Sequence, residues 1–131
     1  MPFSNLVKAG TINFWGRNQS VTQPTQLYLA LYSTNPTGAN TGTEITGGGY
    51  ARQAVTFGAP AISGEQAVSS NTNAINFPKF TVAVGTAAHI AVLSAASGGD
   101  LIAYAQLPTS LQLNAGTQPY VDIGELKFTV T

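Results

Sequence analysis

Along residues 27–33 (LYLALYS) the side chains alternate: Leu27, Leu29 and Leu31 share one face, and Tyr28, Ala30 and Tyr32 share the other. A period of two is the mark of a β-strand. Aliphatic residues on one side and aromatic residues on the other predict a strand covered on both faces, or one whose outer face meets a partner. Residues 51–57 (ARQAVTF) repeat the period, with Ala51, Gln53, Val55 and Phe57 opposing Arg52, Ala54 and Thr56. A third run, residues 73–77 (NAINF), stops at Pro78, which has no N–H for a ladder. Residues 89–94 (HIAVLS) and 101–107 (LIAYAQL) flank the turn signal Ser97-Gly98-Gly99-Asp100 and predict a hairpin. Residues 120–123 and 125–130 read as one strand with an irregularity at Gly124, where a glycine often marks a bulge.

The period changes near the N-terminus. Leu6, Gly10, Asn13 and Phe14 fall on one helical face, with Phe3 and Val7 beside them. Ser4 or Asn5 can cap such a helix, because a short side-chain oxygen accepts a free N–H of the first turn. Gly10 and Thr11 lower its propensity, and Gly16 is placed to stop it. The chain then reads as a loop through Thr25. Short strands punctuated by Gly, Pro, Asn and Ser predict an all-β fold: a single-domain antiparallel β-sandwich or small barrel, jelly-roll-like, with a short N-terminal helix. No composition break divides residues 1–131, so residues 1–25 form a helix and arm and residues 26–131 the sandwich. Between the first two strands lies a linker, residues 35–49, built largely of Thr, Gly, Asn and Pro. It predicts a polar loop displayed on a β scaffold.

Composition sharpens this picture. Of 131 residues, 44% are hydrophobic, enough for a core, yet only 8% are charged, against about 25% in ordinary globular proteins. A surface clad in hydroxyls and amides can form contacts without desolvating charge, which points to assembly or to a neutral polar coat. Lys8, Arg17, Arg52, Lys79 and Lys127 are scattered and the formal net charge is zero. Nucleic acid and anionic membrane are therefore not expected partners, since both recognise clustered cations. With no cysteine there is no disulfide, thiolate nucleophile or thiolate metal site. The N-terminal residues lack a signal-peptide pattern and no run reaches membrane-spanning length, so assembly in a host cytoplasm is expected.

Candidate chemistry is sparse. His89 is the only histidine. A triad with Ser94 or Ser97 and Asp100 or Asp122 would need a base within reach of a nucleophile and a third group to orient it. No Gly-x-Ser-x-Gly elbow is present. A histidine satisfied by backbone or by a subunit contact accounts for His89 better. Oxygen ligands for calcium would have to come from Glu44, Glu65, Asp100, Asp122 or Glu125, which form no EF-hand loop. Gly47-Gly48-Gly49 leads into a strand rather than a helix, so it supplies backbone angles rather than a phosphate cradle. Trp15, Tyr28 and Tyr50 could face a glycan, but aromatics in β folds more often serve core or interface. Neither a cofactor nor a resident metal is expected. Arg52 stands among small and apolar residues and needs an acceptor; Glu44 on the preceding loop can supply one and tie the linker to the sheet.

Three blocks carry a family likeness: LYLALYSTNPTGANTGTEITGGGYARQAVTF, SNTNAINFP and AHIAVLSAASGGDLIAYAQL. The chain resembles small tailed-bacteriophage virion proteins often labelled tail-fibre-like, over nearly all of its length after Ser4. The resemblance implies a virion structural protein without catalytic residues. It lacks coiled-coil, collagen-like and triple-β-helix repeats. A compact knob on the capsid surface is therefore expected: a decoration or cement protein, forming a homotrimer, that binds the major capsid protein lattice and stabilises it by linkage. The alternative is a tail or tail-fibre component touching the host surface. Interface residues expected from the sequence are Phe3, Leu6, Phe14 and Trp15 on the arm, Tyr28 and Tyr32 on the first strand, and Glu44, Tyr50 and Arg52 around the linker, residues 35–49.

Overall fold

Ser4 starts the first element in the computed structural model, which describes residues 1–130. Its hydroxyl accepts the Val7 N–H at 3.3 Å and so caps helix α1 (Asn5–Thr11). The helix widens into a π-helical turn, Ile12–Gly16, and ends where Gly16 was expected to stop it. Residues 17–25 are exposed and carry no regular structure.

Nine strands follow among the described residues: β1 (Leu27–Tyr32), β2 (Gln53–Val55), β3 (Ala61–Ser63), β4 (Gln66–Ser70), β5 (Ile75–Asn76), β6 (Gly85–Leu93), β7 (Leu101–Leu113), β8 (Tyr120–Val121) and β9 (Lys127–Val130). They form a four-stranded sheet in the order β2-β1-β6-β7, a three-stranded sheet β3-β4-β9 and a pair β5-β8. Every pairing is antiparallel. The predicted all-β sandwich class is what the structure shows, and no barrel closes.

The alternation in β1 explains the layering. Leu29 and Leu31 pack on one side with Val55, Ile75, Phe77, Phe80, Val92 and Leu126. The two small sheets thus cover one face of the large one. Burying each such side chain contributes roughly 1.5–3 kcal/mol. Ala30 and Tyr32 turn to the opposite face, where Ala91, Leu93 and Leu101 complete a second cluster. The strand is covered on both sides, and its own domain does the covering.

The hairpin around Ser97–Asp100 is present but longer than the alternation suggested. β6 begins at Gly85, so His89 lies mid-strand, and β7 runs to Leu113. The register slips between Ala87 and His89 opposite Pro108, whose missing N–H suits an irregular position.

Residues 120–130 do not form one strand. Tyr120–Val121 pairs with β5 and Lys127–Val130 with β4, in different sheets. Gly124, at φ +85°, sits in the turn between them rather than at a bulge. Buried Asn71 receives this turn. Its Oδ1 accepts the Leu126 N–H at 2.9 Å, and its Nδ2 donates to Asp122 O at 3.0 Å and Asn73 O at 2.8 Å. The hairpin β3–β4, turning at Gly64 and Glu65, has no counterpart in the sequence reading. All three β3 residues are exposed, so no apolar alternation announces it.

Candidate functional site

The linker between β1 and β2 folds back onto β1. Ser33 N–H donates to Thr43 O and Ile45 N–H to Leu31 O, both at 2.9 Å, and Ile45 enters the core. β2 covers Leu27–Leu29 on the same edge of β1. Between these two stretches the Leu31 N–H would be orphaned, and the Tyr50 hydroxyl accepts it at 3.1 Å. The same hydroxyl donates to Glu44 Oε2 at 2.6 Å.

Glu44 is also gripped by Arg52. Nε and Nη2 meet Oε2 and Oε1 at 2.8 Å each, a two-pronged pairing of planar groups. Nη1 donates onward to Ala95 O at 2.8 Å and Gly98 O at 2.7 Å, in the β6–β7 turn. The Arg52 and Glu44 side chains are only 9% and 22% exposed. The expected pair exists, and it ties two loops to the sheet.

Electrostatics follow from this geometry. Burial alone would raise the Glu44 carboxyl. The hydrogen bonds from Arg52 and Tyr50 and the Arg52 charge outweigh it and hold the group below the usual carboxylate range. Burial, then the hydrogen bond to Glu44, pushes the Tyr50 hydroxyl far above its ordinary value. Burial and the Glu44 charge raise Tyr32 as well.

The glycine run has a packing reason. Gly47, Gly48 and Gly49 all have positive φ. A Cβ on Gly48 would lie 2.9 Å from Val84 Cγ1 and 3.1 Å from Phe80 Cδ1.

Of the residues expected at an interface, several are committed internally. Tyr32 is buried and its hydroxyl donates to Asn40 Oδ1 at 2.9 Å. The Tyr50 ring stacks on Phe77, with centroids 6.2 Å apart. Phe3 lies against Phe128 at 5.1 Å and bridges Ala103 on the edge of β7. Tyr28 is half-buried. Leu6, Phe14 and Trp15 are exposed, Trp15 by 81%. Ile12 joins them, an apolar residue the helical reading passed over although its type was the signal. Phe14 and Trp15 meet edge-to-face at 5.1 Å. Neither α1 nor the π turn buries any residue.

The triad candidates do not converge. Ser94 Oγ accepts the Asp100 N–H at 2.8 Å, and Ser94 N–H donates to Asp100 O, so this pair closes the turn. His89 lies further back along β6, roughly 16 Å from Ser94 at the rise of a strand. Its Nδ1 is buried without a partner, so backbone does not satisfy it. Among the described residues no three His, Asp or Glu side chains lie close enough together to hold a metal ion. No helix among them is long and apolar enough to cross a membrane.

A family model described as Podophage GP4 fiber I protein gp80 matches residues 2–129. The chain belongs to this family. The match covers the Arg52–Glu44 clasp, the exposed helix and all nine strands almost to their end. As a member of a tailed-phage fibre-like family, the chain is a virion structural protein. No curated protein matches it.

Proposed function

We propose that the chain is a structural unit of a fibre-type tail appendage, held in the particle through its N-terminal helix. The observation that carries this reading is a helix that buries none of its side chains while exposing Leu6, Ile12, Phe14 and Trp15. An amphipathic helix normally buries its apolar stripe on its own domain. Here four apolar side chains spread around the helix are left exposed for another protein, and Trp is a strong anchor at protein interfaces. The family description, a fibre protein, favours an appendage over the capsid lattice.

The role is mechanical. Ser94 and Asp100 are used to close a turn, and His89 is held apart from them, so no catalytic step is assigned. The clasp at Glu44 and Arg52 fixes the loop shape that neighbouring proteins meet.

A second reading, a homotrimeric decoration protein on the major capsid protein, has one observation in its favour. The described residues form a two-layer body with no shaft-forming element. Copy number separates the two. Quantified gel bands of purified virions should show a handful of copies per particle for an appendage. Copy numbers comparable to the capsid protein would establish decoration and overturn the appendage. Antibody labelling viewed by electron microscopy should mark the tail.

A further inference from the structure

The attachment of the N-terminal arm is small and made chiefly of backbone. Ser4 N–H donates to Ile102 O at 2.8 Å and Tyr104 N–H donates to Pro2 O at 3.1 Å, so residues 2–4 lie as a short antiparallel strand on the free edge of β7. Phe3 settles against Phe128, Ser4 is buried, and Asn5 N–H donates to Gly38 O at 3.0 Å. Beyond this foothold the arm is loosely held: no residue of the helix or π turn is fully buried, and residues 17–25 are exposed throughout. Fully extended, that stretch reaches about 30 Å.

We infer that the arm is exchanged between copies, with residues 2–4 of one chain seated on the β7 edge of the next. The partner is a second copy of this chain, because the only seat shown to fit this strand is the chain's own β7 edge with Phe128 beside it. Exchange keeps every hydrogen bond of the foothold and trades no contact away. It leaves Leu6, Ile12, Phe14 and Trp15 as exposed on the acceptor domain as they are here, and the connection back through residues 17–25 places them between the two copies. An element seated by few contacts and joined by a long exposed connection is what low-cost swapping requires. This inference rests on the reading of the arm as an assembly element. It is tested on the isolated protein, so its failure would leave the copy-number result untouched.

Phe3 and Ala103 face each other between the two flanking hydrogen bonds, a position where Cα atoms sit about 4.5 Å apart and a disulfide fits. The chain has no other cysteine. The double variant Phe3→Cys, Ala103→Cys is oxidised and run on a non-reducing gel. Exchange predicts covalent species at multiples of the 13.5 kDa chain. The wild-type chain gives a second reading. In a refolded mixture of isotope-labelled and unlabelled chains, exchange predicts a ring–ring NOE between Phe3 of one chain and Phe128 of another. A product confined to one chain length or left unlinked, with no interchain NOE, overturns the inference.

Discussion

The guanidinium of Arg52 and the carboxylate of Glu44 meet through two hydrogen bonds of 2.8 Å, and the remaining Arg52 nitrogen holds the β6–β7 turn. One side chain therefore fixes two loops that are far apart in sequence. Arg52→Ala leaves Glu44 largely buried with Tyr50 as its remaining partner. Breaking a fully buried pair costs about 3–5 kcal/mol, and partial exposure screens this one, so a loss of about 2 kcal/mol is expected in urea unfolding. Limited proteolysis should open a new cleavage site near Thr43; unchanged protection there would remove the clasp from the account.

The clasp also sets an acid limit. The Glu44 carboxyl titrates below its ordinary 4.5 when folded. Its stabilising contribution is complete above that ordinary value and fades as pH falls through the lower, folded one. Wild type should thus lose stability more steeply than Glu44→Gln as pH falls below 4.5, the variant's unfolding midpoint being lower at neutral pH but flatter. Parallel pH profiles for the two proteins would contradict this.

Alkali acts through Tyr50. Its hydroxyl titrates above the ordinary 10.0 when folded, so its contribution is whole below pH 10 and lost as pH rises beyond it. Ultraviolet titration should show Tyr50 ionising only when the fold opens. Tyr50→Phe should remove that delayed component, orphan the Leu31 N–H and cost about 1–3 kcal/mol.

Asn71 is the polar centre of the fold. Asn71→Leu would strand the buried Leu126 N–H and leave two part-buried carbonyls without their donor, for a loss of about 3 kcal/mol. Asn71→Asp, which replaces the donor with a charge facing those carbonyls, should be worse. Thermal melts of both variants check the order; an Asn71→Asp protein as stable as wild type would show that the turn has another anchor.

Trp15→Ala separates assembly from folding. With its side chain 81% exposed, its loss should leave the unfolding free energy of the isolated chain within about 0.5 kcal/mol of wild type. Incorporation into particles should fall, as read by gel quantification of virions. Normal incorporation would remove the helix from the interface.

Several local features were legible in residues near one another. Ser4 caps a helix because its acceptor oxygen meets an N–H three residues on. LYLALYS is a two-sided strand because alternation alone sorts its side chains, and the Ser97–Asp100 turn joins its flanking strands because the chain needs little length to return. Arg52 among apolar neighbours pointed to an acceptor, and Glu44 was near enough in sequence to name. Tertiary structure decided the rest. Residues 120–130 alternate well enough for one strand, yet Asn71, about fifty residues earlier, takes their turn and sends the halves to different sheets. Tyr32 and Tyr50 read as interface aromatics, and the chain covers them itself, Tyr32 with Ala91, Leu93 and Leu101 and Tyr50 with Phe77. Periodicity records which way a side chain points; which part of the chain supplies its partner depends on contacts between residues far apart, and those exist only once the sheets have packed.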